Sequence, residues 1–321
     1  MNETRVIALT QPRHACHACG NCCYGHRISL FDEAESALIE SHGVALGVSN
    51  PIVDGALRTV DGHCVFLGTD RLCTIHRNFG GDQKPRVCQQ YPVRVSRAED
   101  GLRVGIDPSC TSNWRVWRDG PAVDVSSALE PHDITLSTED AGAGKALLGM
   151  AQSKSMDVAR LLWVISGGQP PMSPNGDDLP PGFGSRLIDR VLALHVDRFI
   201  RDPEVGEGIR APLAHVADFV GTLDRESPPA WRGRLPPDLD EFVLEVVRRS
   251  VFMRLNDKDL PLVGHVLLLL SGAVVCAWAD PTPEVFGPAL STWTRACRYR
   301  AFWQGFFPRT ETISWLATGR A

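Results

Sequence analysis

The 321-residue sequence predicts an α+β fold, with a small irregular cysteine-rich domain followed by a mainly α-helical domain. Three observations carry that expectation. Eight of the ten cysteines lie between Cys16 and Cys110, and only Cys276 and Cys297 fall beyond them. The cysteine-dense stretch is rich in turn residues, whereas from about residue 143 apolar residues recur at helical spacing. With 43% hydrophobic and 22% charged residues, the chain has the balance of a folded protein rather than a disordered one. The expected boundaries are 1–120 for the cysteine domain, 121–142 for a polar connector and 143–321 for the helical domain.

The elements follow in order. Residues 1–15 read as a lead-in. Ser29–Ser41 reads as a short helix, with Asp32 and Glu33 early in it and Leu38 and Ile39 on its apolar side. Cys64–Cys73 reads as a hairpin: Val65, Phe66 and Leu67 form one arm, Gly68-Thr69-Asp70 the turn and Arg71-Leu72 the return. A second hairpin is expected where Val93–Val95 and Leu102–Ile106 flank Glu99-Asp100-Gly101. Helices are expected over Gly144–Ile165, from an N-cap at Ser185 to about Arg201, and over Pro212–Leu223, Pro237–Leu255 and Pro288–Phe306. The second of these has Leu187, Ile188, Val191, Leu192, His195 and Phe199 on one stripe. Before it lies a loop, Gly167–Gly184, containing Pro170, Pro171, Pro174, Pro180 and Pro181.

Leu260–Ala279 carries no acidic or basic side chain apart from His265 and has the minimum length of a membrane span. Pro261, Gly264 and Gly272 interrupt it, aromatic anchors are missing at its ends, and amphipathic helices flank it. It therefore reads as the central buried helix of a bundle, with His265 a satisfied core histidine and no membrane partner.

The formal charge is -5, and residues 1–120 hold 13 basic and 13 acidic side chains. Neither half is basic, so a nucleic-acid partner is not expected. The first ten residues lack a charged segment followed by an apolar run, which predicts a cytoplasmic location. There the cysteines would stay as thiols or metal thiolates.

The strongest motif is Cys16-His-Ala-Cys19-Gly-Asn-Cys22-Cys23. A C-x-x-C loop aims two sulfurs at one centre, and Gly20 allows the tight, left-handed turn this requires. Adjacent Cys22 and Cys23 leave an extended backbone on opposite sides, so one of them can serve a second wall or a second centre. Cys64, Cys73, Cys88 and Cys110 complete a candidate metal-ligand set of eight: Cys16, Cys19, Cys22, Cys23, Cys64, Cys73, Cys88 and Cys110. All-sulfur ligation suits zinc, iron or an iron–sulfur cluster equally. Arg13, Arg27, Arg86 and Arg94 are the cations expected to offset the thiolate charge, and His14, His17, His63 and His76 flank the cysteines. A thiol redox sensor is a further reading of the same residues.

Four blocks together resemble the YkgJ-type C-x-x-C-x-x-C-C family, described as zinc- or iron-chelating. They are Cys16-x-x-Cys19-Gly-x-Cys22-Cys23-x-Gly25, Cys64-x-Phe66-Leu67, Cys73-x-Ile75-His76 and Lys84-Pro85-x-x-Cys88-x-x-Tyr91-Pro92. The resemblance covers about residues 10–115. With Ser109-Cys110 and a helical region after it, the layout is also similar to the flagellin lysine-N-methylase family. That second resemblance implies S-adenosylmethionine, an iron–sulfur cluster and flagellin as protein substrate. No Gly-rich loop follows a strand, and neither catalytic residues nor a cofactor-binding set is discernible.

In the helical half, Cys276 and Cys297 read as core. Trp293, Tyr299, Phe302, Trp303, Phe306 and Phe307 read as a packing stripe, and Arg248-Arg249 as a solvated face.

Overall fold

A computed structural model of the chain describes residues 5–24, 27–98, 100–125, 132–133, 138–168, 179–194, 196–201, 207–224 and 235–320. The expectations resting on Gly25, Glu99, Pro170, Pro171, Pro174 and His195 lie outside these residues. The described chain is α+β, with small sheets in the cysteine-rich half and helices beyond it.

The second expected hairpin forms as β6 (Val93–Ala98) and β7 (Gly101–Ile106), antiparallel and in register from Val93↔Ile106 to Ala98↔Gly101. The lead-in contributes a strand that the sequence reading missed. β1 (Val6–Ala8) pairs parallel with β7, extending a sheet of order β1-β7-β6-β8, with β8 at His132–Asp133. Three residues are too few to show an alternation, so the strand exists through its partner.

Helix α1 (Glu33–Leu46) starts later than expected, because Asp32 is its N-cap: the carboxylate accepts the Glu35 N–H at 2.8 Å. It runs past Ser41 to Gly47, whose left-handed backbone ends it. Two short ribbons follow, β2 (Ile52–Val53) with β3 (Ala56–Leu57) and β4 (Thr59–Val60) with β5 (His63–Cys64). The expected Cys64–Cys73 hairpin is mostly absent. Cys64 pairs with Thr59, and the Gly68–Leu72 loop closes through the single bridge Leu67↔Cys73. Arg71 adopts a positive φ and α2 (Thr74–Phe79) begins straight after Cys73, which leaves no room for a return strand. Two further helices are α3 (Arg86–Gln90) and α4 (Asn113–Val116).

The expected helix Gly144–Ile165 is two, α5 (Thr138–Ala151) and α6 (Val158–Ile165), because Asp157 caps a new start by accepting the Arg160 N–H at 2.7 Å. Gly182, not Ser185, precedes α7 (Phe183–Ala193), and α8 (Val196–Arg201) is separate. Next come α9 (Glu207–Gly221), α10 (Pro237–Met253), α11 (Leu262–Ala279) and α12 (Pro283–Ala296). The chain ends in α13 (Arg300–Phe306) and α14 (Thr310–Thr318), the latter without a forecast.

The Leu262–Ala279 helix is long and apolar enough to cross a membrane, but 78% of it is buried inside the structure, among α9, α10 and α12. Cys276, Cys297 and the aromatic stripe are core, as expected. Two expectations are corrected. His265 is fully buried, yet neither ring nitrogen has a hydrogen-bond partner. Arg248-Arg249 is no solvated face: both guanidiniums are drawn inward to the buried Glu245 carboxylate, Arg248 at 3.0 Å and Arg249 at 2.7 Å.

The two halves share side chains. Helix α10 lies against β6 and β7, where Ser96 Oγ donates to the Met253 carbonyl and Arg103 to the Phe252 carbonyl. Helix α12 rests on α4. A Cβ at Gly287 would stand 2.3 Å from the Trp114 indole, so only glycine allows that approach. Between these contacts Asp107, 2% exposed, binds Arg298 through two 2.7 Å bonds.

Candidate metal centre

The first cysteine loop is shaped by its backbone. Ala18 and Gly20 take positive φ values of 53° and 71°, and a 3-10 turn, Asn21–Cys23, follows, with Cys23 N–H donating to the Gly20 carbonyl. The expected left-handed glycine is thus at Gly20. The Gly68–Leu72 loop nests against this turn. A Cβ on Gly20 would lie 2.5 Å from the Arg71 carbonyl, and the Arg71 guanidinium donates to the Cys19 carbonyl and to Asn21 Oδ1.

The other cysteines arrive from separate elements. Cys64 ends β5, Cys73 is the N-cap of α2 and Cys88 sits on α3. Glu35 fixes the start of α3: its buried carboxylate accepts the Arg86 N–H at 2.6 Å and the Phe31 N–H at 2.6 Å. The floor is apolar, built from Ile28, Ile39, Leu57, Phe66 and Ile75.

The structure sorts the eight candidates into three sets. Cys22, Cys23, Cys64, Cys73 and Cys88 lie within electrostatic reach of one another. Cys110 stands by Cys19 and Cys22, and the Cys19 sulfur is 3.4 Å from Thr111 Oγ1 and 3.7 Å from Ser112 Oγ. Exposed Cys16 stays apart, accepting the Ala18 N–H at 3.4 Å. Among the described residues no three His, Cys, Asp or Glu side chains are close enough to hold a metal ion as they stand. The donor chemistry nevertheless fits one: five sulfurs on four segments make a set suited to a thiolate-preferring ion.

Burial and neighbouring sulfur govern the acidities. Donation of a hydrogen bond to Cys22, then burial, pushes the Cys23 thiol far up. Accepting that bond holds Cys22 down, against burial, with help from Arg295 and Lys84. Burial raises Cys64 to about 11, with Cys73 and Cys22 adding to it, and Cys110 to about 12, with Cys19 adding to it. Burial also raises Cys88 well above the usual thiol range.

The cations expected beside the thiols are engaged elsewhere. Arg13 donates to the Gly120 carbonyl, Arg27 to that of Asp54, Arg86 to Asp32 and Arg94 to Asp107. Arg295 and Lys84 take that place. Lys84 was visible in the Lys84-Pro85 block. Arg295 lies far along the chain on α12, and only the fold brings it here. Of the flanking histidines, burial and His17 hold His14 down to about 4, and the His63 ring packs 5.6 Å from Tyr24.

Residues 15–111 match the model of the CxxCxxCC family, described as "Putative zinc- or iron-chelating domain". The match takes in all eight N-terminal cysteines. No curated protein and no solved structure matches the chain.

Proposed function

We propose, from the CxxCxxCC segment and its geometry, that the chain is a cytoplasmic zinc- or iron-binding protein whose centre is held by Cys22, Cys23, Cys64, Cys73 and Cys88. Cys19 and Cys110 form an adjoining sulfur wall. The observation that carries the reading is the grouping of five thiols from four chain segments over one apolar floor. Cys22 is exposed, which gives an ion a way in. When bound, the metal would supply a positive centre holding the loops together. The chain's own residues supply the sulfurs, the apolar floor and two flanking cations. All ten cysteines are free thiols, in keeping with ligation rather than disulfide bonding. Among the described residues no contact favours the S-adenosylmethionine-dependent methylase or the redox sensor over this reading.

Anaerobic purification followed by elemental analysis and an absorption spectrum tests it. Stoichiometric zinc with no visible band, or stoichiometric iron with strong visible sulfur-to-iron absorption, supports the proposal and identifies the ion. Protein that carries no zinc or iron, takes up neither, and unfolds identically with and without chelator overturns it.

A further inference from the structure

Arg295 on α12 is 2% exposed. One terminal nitrogen donates to the Asn21 carbonyl at 2.7 Å and the Tyr24 carbonyl at 3.2 Å, and the other to the Ser109 carbonyl at 3.2 Å. Two of those carbonyls bracket the Cys22-Cys23 pair, and the third immediately precedes Cys110. Neighbouring arginines have carboxylates: half-buried Arg298 has Asp107 and buried Arg249 has Glu245. Among the described residues Arg295 has no carboxylate partner. A guanidinium with only carbonyl dipoles around it is an expensive thing to bury, and its charge calls for an anion. Lys84 also acts on the sulfurs, its ammonium donating to the Cys88 carbonyl at 3.0 Å, with no carboxylate in ion-pair range among the described residues.

We infer that Arg295 is the counter-charge and positioning residue of the cysteine centre, and that the site is built for an ion complex of net negative charge. The inference rests on the metal-binding reading above. Four thiolates around a divalent ion make a complex of charge 2−. Arg295 and Lys84 supply two positive charges against it. Arg295 also ties the carbonyls of two separate loops to one planar fork, which fixes the spacing between the Cys22-Cys23 turn and the Cys110 turn. The helical half is in this way part of the centre, without giving it a ligand.

The test uses the full chain and its Arg295→Met and Arg295→Lys variants. Zinc affinity is measured by competition with a chromophoric chelator. Protons released per zinc are measured by calorimetry in buffers of different ionisation enthalpy. Arg295→Met is expected to weaken zinc about 10- to 100-fold, the usual cost of losing an outer-shell partner, and to raise the proton count, because thiols without the neighbouring positive charge start more fully protonated. Arg295→Lys keeps the charge and restores the proton count, but not the full affinity, because the fork is lost. Wild-type affinity and proton count in Arg295→Met overturn the inference. If that variant does not fold, amide hydrogen exchange on the wild type decides: zinc loading is expected to protect residues 294–298, and unchanged exchange there overturns the inference. A wild-type chain that takes no zinc or iron overturns both this inference and the reading beneath it.

Discussion

Lowering the pH from 7 to 5 is expected to cost the folded chain about 2 kcal/mol at His265 alone. The imidazole sits in the first turn of the apolar helix α11, fully buried, with neither ring nitrogen hydrogen-bonded. Burial, and then the Arg298 charge, hold its pKa down to about 3, against 6.5 when exposed. Between those values the unfolded chain binds a proton that the folded chain refuses. Stability from this residue is therefore complete above pH 6.5 and is lost as the pH falls toward 3. Each pH unit in that window costs roughly 1.4 kcal/mol, giving about 2 kcal/mol at pH 5. His265→Leu removes the titrating group and two unsatisfied nitrogens, so at pH 7 it should be as stable as the wild type or more so, by about 1 kcal/mol. Urea unfolding of both chains at pH 7, 6 and 5, with chelator and reductant present, measures the difference and cancels every other titrating group. The stability gap should widen by about 2 kcal/mol at pH 5. Parallel pH profiles for the two chains would refute the reasoning.

Asp107→Asn should destabilise the fold by about 2–4 kcal/mol, since it leaves the half-buried Arg298 without its carboxylate. Adding Arg298→Met to that variant should recover part of the loss, and a urea midpoint unmoved by Asp107→Asn would count against the pair. Burial raises the Asp107 carboxyl, but Arg298, Arg94 and the Ser109 N–H together hold it far below the usual carboxylate range. Cys64→Ser and Cys88→Ser should each weaken metal binding, whereas Cys16→Ser should not; chelator competition on the three variants decides, and equal losses would sink the sorting of the sulfurs. Gly20→Ala should cost about 1–2 kcal/mol from the left-handed backbone alone. Its Cβ also meets the Arg71 carbonyl, so metal content should fall as well, and full occupancy would argue that the turn does not shape the centre.

The cysteine array was legible in the sequence because its information is local. The family pattern is written in spacings of two or three residues, and Gly20 took the backbone expected of it, although Cys16 and Cys19 do not face one centre. The buried helix was legible because all-round apolarity has few other uses in a folded chain. What escaped was non-local. β1 and the loop around Arg71 exist through partners distant in sequence, and a periodic run such as 144–165 does not reveal a break whose cause is a single capping aspartate. The charge partners of the thiols failed for the same reason. Arginines near the cysteines in sequence turned to carbonyls and carboxylates, while the one beneath the Cys22 turn comes from α12. Arg248-Arg249 shows a related limit: a charged dipeptide reads as surface unless the sequence declares the buried Glu245 that takes both.

Helix α11 has a practical consequence for anyone handling this protein. Its eighteen residues are shielded only while α9, α10 and α12 stay in place. Any opening of the bundle presents a long uncharged segment to other opened copies, and association of those segments competes with refolding. Heating should therefore end in aggregates, with an apparent melting temperature that moves with scan rate and protein concentration. Shelf life will then depend on how often the bundle opens, a kinetic property that equilibrium stability does not report.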